Sequence, residues 1–167
     1  IVTGGGPGLM QAANEGAALA GGSARSVGIR VDLPFEQEVN SFVGMAFEHR
    51  TFFTRLHQFV LMSDAFIVAP GGIGTVLETM MIWQLLQVRH LADTPLVFAG
   101  PMWRGLIAWI GQAMLRPGFE LASPADVALP QCVDGADEAI AVIRAHHGRW
   151  RAERGGGAAR GAPGRGP

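Results

Sequence analysis

The sequence predicts a doubly wound, Rossmann-like α/β domain: a parallel sheet with helices on both faces. Three observations point there. Short β-rich runs alternate with longer helical patterns along the chain. The runs Ala65–Ala69 and Pro95–Ala99 are apolar throughout, as strands buried on both faces are. Glycine clusters stand where strand passes to helix, and ligands of open α/β sheets bind at such junctions. A length of 167 residues with 49% hydrophobic and 16% charged residues suits one packed domain.

The elements follow in order. Ile1–Thr3 reads as the end of a strand running into Gly4-Gly5-Gly6. Pro7 suits the first turn of a helix whose Leu9, Met10, Ala13, Ala17 and Ala20 share one face, and Gly21-Gly22 ends it. Ser26–Val31 is the next strand, and Leu33–Val43 a long loop. Phe47–Met62 has helical periodicity and leads through Asp64 into the buried strand Ala65–Ala69. Pro70-Gly71-Gly72-Ile73-Gly74 is a tight loop, followed by a helix over Thr75–Gln87 and a strand over Pro95–Ala99. A helix over Trp103–Leu115, a short strand at Asp126–Leu129 and a closing helix at Ala136–His146 complete the pattern. Residues 1–147 are expected as the domain. Residues 148–167, rich in Gly, Ala and Arg, are expected as a disordered tail. Because the chain opens mid-strand without Met, it is read as lacking its N-terminal βα unit.

Composition excludes several function classes. All 13 basic residues are arginine, which removes any Schiff-base lysine, phosphate-loop lysine or lysine nucleophile. Cys132 is the single cysteine, so there is no intramolecular disulfide, zinc finger or CxxC pair. The lone thiol and the lack of a signal-like segment point to the cytoplasm. A formal net charge of −1 argues against a nucleic-acid partner, and no apolar run reaches the roughly 18 residues of a membrane span. No HExxH or facial triad suggests a metal, and no GxSxG suggests a serine hydrolase.

The two glycine loops carry the functional signal. Glycine lets a ligand approach the backbone, and the N–H groups of the following helix favour an anion. Two such loops suggest a phosphate-bearing ligand; equally, they are simple tight turns. Neither loop is a GxGxxG or a Walker fingerprint. Thr75-x-x-Glu78 reads either as a capping box or as a carboxylate held ionised beside an anion site. Arg55, among Phe52, Phe53 and Phe59, either lies along an apolar face or presents its fork to a phosphate. Trp83 is assigned to a base pocket or to packing.

Together, Thr3-Gly4-Gly5-Gly6-Pro7-Gly8-Leu9-Met10, Leu33-Pro34-Phe35-Glu36-Gln37 with Asn40, Phe52-Phe53-Thr54-Arg55, Ser63-Asp64-Ala65-Phe66 and Pro70-Gly71-Gly72-Ile73-Gly74-Thr75-Val76-Leu77-Glu78 resemble the LOG ("Lonely guy") family over about residues 1–145. The PGGxGTxxE signature is complete. The resemblance implies a Rossmann-like homodimer, with no cofactor, that hydrolyses the N-glycosidic bond of a nucleoside 5′-monophosphate. Its substrate is a cytokinin riboside monophosphate or AMP, and its products are free base and ribose 5-phosphate. By the same resemblance Arg55 and Glu78 are catalytic, and Gly5, Gly6, Gly71, Gly72, Ile73, Gly74 and Thr75 bind substrate phosphate. Glu36, Gln37 and Asn40 are candidate substrate contacts. Where the family usually carries lysine after the arginine, this chain has Leu56, and Gln84 stands where a threonine is usual. The second reading is therefore a non-catalytic carrier of a nucleotide or a molybdenum-cofactor-like ligand. The family's older label, possible lysine decarboxylase, normally requires a cofactor-bearing lysine, which this sequence lacks.

Overall fold

A computed structural model of the protein describes residues 1–32 and 38–158. It contains two compact units, Ile1–Asp64 and Ala65–Pro167. Each carries an open parallel sheet interleaved with helices, the Rossmann-like α/β class that the alternating pattern predicts.

In the first unit, β1 (Val2–Thr3), β2 (Val27–Val31) and β3 (Met45–His49) form a parallel sheet with β2 in the centre. Val27, Ile29 and Val31 of β2 are all buried, as a central strand covered on both faces requires. Helix α1 (Leu9–Ala20) links β1 to β2 and ends at Gly21, whose φ of 61° suits glycine. Its buried face differs from the apolar stripe expected. Asn14 and Ala17 point inward, while Leu9 and Leu19 are exposed. A buried amide with complete hydrogen bonding competes with leucine for such a site, and an apolar count does not see it.

Helix α2 (Phe52–Met62) is shorter than the expected Phe47–Met62. The first residues of that stretch belong to β3, which pairs with β2 in the register Val27↔Met45 through Val31↔His49. Thr51 sets the boundary: its extended backbone and its side chain, which accepts the Thr54 N–H, make it the N-cap. Helical periodicity over Phe52–Val60 does not by itself mark where the helix begins.

The second unit holds β4 (Phe66–Val68), β5 (Leu96–Ala99) and β8 (Gln131–Val133) in the parallel order β4-β5-β8. Leu96, Val97 and Phe98 of the central strand are at most 1% exposed. Helix α3 (Ile73–Gln87) follows β4, and α4 (Met102–Met114) follows β5. Phe98 lies between Trp83 of α3 and Trp103 of α4, with ring centroids 5.8 Å and 5.1 Å apart. Trp83 is therefore a packing residue, and its Nε1–H donates to Asp126 O at 2.8 Å. Val97, Val133 and Ala139 form a second cluster with Val142 and Ile143 of α6 (Ala136–Ala158).

Three further differences from expectation arise here. A small antiparallel pair, β6 (Leu115–Arg116) and β7 (Phe119–Glu120), follows α4; Gly118 with φ 79° makes its turn. The expected strand at Asp126–Leu129 is instead the end of a helical turn, α5 (Pro124–Val127), with β8 beginning later. Ser123 caps that turn, Pro124 opens it, and Asp126 completes a capping box. The Ser123 N–H, donating to its carboxylate, holds Asp126 below the usual carboxylate range. Finally, α6 runs beyond His146 to Ala158, so residues 148–158 are helical where disorder was expected. Residues 148–153 of this extension are all exposed, as a composition without a core-forming stripe implies. Among the described residues no helix is long and apolar enough to cross a membrane.

The aromatic contact at Phe98 supports the second unit. Phe98→Ala is expected to destabilise it by about 3–5 kcal/mol, read as a fall in the urea midpoint followed by tryptophan fluorescence.

Candidate active site

The first glycine loop, between β1 and α1, is built by close backbone approach. Gly5 is buried with φ 78°, and a Cβ there would lie 3.2 Å from Val39 Cγ1 and 3.4 Å from Gly28 Cα. Gly28, on β2, is constrained in return: its own Cβ would meet Gly5 Cα at 3.2 Å. The polar groups of Gly5 are engaged within the protein. Its N–H donates to Thr3 Oγ1 at 3.0 Å, and its carbonyl accepts the Asn40 N–H at 2.8 Å and the Asn40 Nδ2–H at 3.1 Å. Gly5, expected to bind phosphate, thus builds the loop, and the half-buried Gly6 is its candidate ligand contact.

Arg55, in the first turn of α2, is brought to this loop. Its Nε–H donates to Ile29 O at 2.8 Å, and its guanidinium carbon stands 5.3 Å from the Phe59 ring centroid. Its Nη2 lies 2.6 Å from the position a Cβ on Gly4 would take, so the missing side chain of Gly4 makes room for the guanidinium. The arginine is half-buried and anchored across Gly4, rather than stretched along an apolar face into solvent. Asn40 also belongs to this unit, and its amide bonds the loop carbonyls. Glu36 and Gln37, the other expected substrate contacts, lie outside the described residues.

The second loop joins β4 to α3. A Cβ on Gly71 would stand 2.2 Å from Thr75 Oγ1 and 2.7 Å from Thr75 Cβ, so the threonine folds directly over this glycine. Gly72 is the N-cap of α3, and Val76 N–H donates to Gly72 O at 3.1 Å. The helix therefore begins two residues before the expected Thr75. Thr75 is its third residue rather than its cap, and a Thr75–Glu78 capping box is not formed. A Cβ at Gly72 or Gly74 would meet nothing within 4 Å. Those two glycines answer no packing demand. Gly72, Ile73 and Gly74 are exposed at the positive end of the helix dipole, where an anion is favoured, and no side chain caps this end among the described residues.

Half-buried Glu78 follows Gly74 and Thr75 at helical spacings that put all three on one side of α3. Helical side chains tend to lean toward the N-terminus, the direction in which Gly74 and Thr75 lie from Glu78. Farther along, Gln84 Nε2–H donates to Gln87 Oε1 at 2.9 Å on the exposed surface. Leu56, beside Arg55 in sequence, is 6% exposed and serves packing.

Sequence reasoning missed Asn14, Ser26 and Gly28. Asn14, 0% exposed, accepts the Thr3 hydroxyl at 2.7 Å and donates to Ser26 Oγ at 2.8 Å. A polar residue inside the A-A-N-E-G stretch of an otherwise apolar helix was the available signal.

Two pairs of outcomes follow from these environments. Gly74→Ala meets no atom and gains roughly 0.5–1 kcal/mol of helix propensity, so its thermal midpoint holds or rises while affinity for an anion at this helix start falls. Gly71→Ala strikes Thr75 and lowers both. Leu56→Lys, which restores the family's charge at a buried position, is expected to lose about 1.5–3 kcal/mol in a urea melt without raising activity.

No curated protein sequence matches the chain. A family model described as "Possible lysine decarboxylase" matches residues 10–143, which run from α1 in the first unit into the first part of α6 in the second. With well over half of its length matched, and with the PGGxGTxxE signature forming the turn into α3 that ends on Glu78, the chain belongs to that family, the LOG family.

Proposed function

We propose that this chain hydrolyses the N-glycosidic bond of a nucleoside 5′-monophosphate, AMP or a cytokinin riboside monophosphate, to free base and ribose 5-phosphate. The observation that carries the reading is the exposed start of α3, which no side chain caps among the described residues, with the half-buried Glu78 one turn farther along the same helix. A 5′-phosphate bound by the Ile73, Gly74 and Thr75 amides supplies binding energy remote from the reacting bond. Breaking the C1′–N bond develops positive charge on the ribose. A carboxylate near C1′ stabilises that charge and accepts a proton from the attacking water. Water oxygen bonds to C1′, the bonding pair leaves with the base, and the base takes up one proton. Glu78 has the carboxylate role, and Arg55, anchored across Gly4, is the guanidinium that the family resemblance makes catalytic.

Exposed Ile73, Leu77 and Met80, spaced along one side of α3, support pairing of two copies, as in the homodimer the resemblance implies. A nucleotide substrate and the exposed lone thiol of Cys132 fit a cytoplasmic enzyme. Lysine decarboxylation through a Schiff base has no lysine to use in this sequence.

The test incubates the full chain with AMP and with isopentenyladenosine monophosphate and measures free base and ribose 5-phosphate. Release by the wild type that falls about 10²–10⁴-fold in Glu78→Gln supports the hydrolase. Tight nucleotide binding with no release supports the carrier reading instead.

A further inference from the structure

The hydrogen bonds of Asn40 converge on the first glycine loop from one side. Its Nδ2–H group faces the carbonyls of Gly5 at 3.1 Å and Gly6 at 3.0 Å, and Asn14 Oδ1 at 3.1 Å. Its Oδ1 accepts the Phe42 N–H at 3.2 Å, which fixes the orientation of the amide. Its backbone N–H donates to the Gly5 carbonyl as well. Behind it stands Asn14, which accepts from Thr3 and donates to Ser26 Oγ and to Val27 O. The network joins β1, α1, β2 and the segment before β3 to the two peptide planes that follow Gly5 and Gly6.

A trans peptide points its C=O and N–H in opposite directions. Turning the Gly5 carbonyl onto Asn40 therefore turns the Gly6 N–H away from it. The plane after Gly6 has no N–H to offer, because Pro7 follows. Of the two planes Asn40 grips, one donor remains, the Gly6 amide, next to the Gly4 position over which Arg55 lies. A loop of successive glycines has many backbone states, and holding one of them lowers the ordering cost of binding.

We infer that Asn40, backed by buried Asn14, is a positioning residue: by binding the carbonyls of Gly5 and Gly6 it presents the Gly6 N–H beside the Arg55 guanidinium to the anionic nucleotide. The inference rests on the nucleotide-hydrolase reading. It gives Asn40 no direct contact with substrate, in contrast to the substrate-contact role expected from the sequence.

Asn40→Asp keeps the shape but sets an acceptor against two carbonyls; Asn40→Ser keeps a donor of shorter reach. Both are compared with Val31→Ala, a core change in the same unit that lowers stability and removes no hydrogen-bonding side-chain group. AMP affinity is measured by calorimetry, KM and kcat by base release, and the Gly6 amide resonance is followed during AMP titration. Expected are a tenfold or greater rise in Kd and KM for Asn40→Asp with kcat changed less than threefold, a smaller rise for Asn40→Ser, and loss of the Gly6 amide response. Val31→Ala should keep wild-type Kd and KM at a lower melting midpoint. If Asn40→Asp fails to fold, Asn40→Ser decides by the same readouts. Wild-type affinity in a folded Asn40 variant, or an equal loss in Val31→Ala, overturns this inference and leaves the hydrolase reading standing. No AMP binding by the wild type overturns both.

Discussion

Close contacts made over glycines at and beside the strand-to-helix turns are the constraint on which both units depend. In the first unit Gly5 and Gly28 face each other closely, and a Cβ on Gly28 would stand 3.2 Å from Gly5 Cα, tighter than an ordinary contact. In the second, Thr75 occupies the space a side chain on Gly71 would need. Each turn thereby keeps its helix tight against the strand before it and leaves the start of that helix with little covering it. Exposed backbone at the start of a helix is where an anion is favoured in folds of this class. The glycines divide accordingly. Gly5, Gly28 and Gly71 are demanded by packing, while Gly72 and Gly74 have open space and no structural reason for their missing side chains.

Buried polar groups do for the first unit what apolar contacts do for the second. Asn14 has hydrogen-bond partners on both its oxygen and its nitrogen. A buried amide so satisfied contributes only modestly in net terms, but leaving any of its partners unpaired costs about 1–3 kcal/mol. That asymmetry makes the network a specifier of one loop conformation more than a source of stability. In the second unit Phe98, between two tryptophans, fixes α3 and α4 against β5 by area and ring geometry. Because α3 also carries Gly72, Gly74 and Glu78, this apolar contact holds a chemical group in place without touching it.

Much of the α/β pattern was legible because buried strands and long helices have distinct periods. The errors share one cause: local patterns do not reveal where a cap interrupts them. Thr51 splits the periodic stretch before Met62 into a strand and a helix, because its side chain captures the Thr54 N–H and because β3 finds a partner in β2. Ser123-Pro124-Ala125-Asp126 carries its helix-start signal openly, and the apolar residues after it suggested a strand instead. At the second loop, Thr75-x-x-Glu78 has the letters of a capping box, but the helix starts at Ile73 and the box falls out of position.

By itself, the sequence determined the α/β class, the family, the absence of lysine chemistry and the residues Arg55 and Glu78 as those to follow, since these depend on composition, spacing and order. Tertiary structure decided the division of labour within the glycine loops, the anchoring of Arg55 on Ile29 O across Gly4, and the turn of Asn40 toward loop carbonyls. The physical reason is range. Periodicity and motif spacing report on neighbours along the chain, whereas the direction of a carbonyl or a guanidinium is set by groups such as Asn14, Gly28 and Ile29 that only folding brings near.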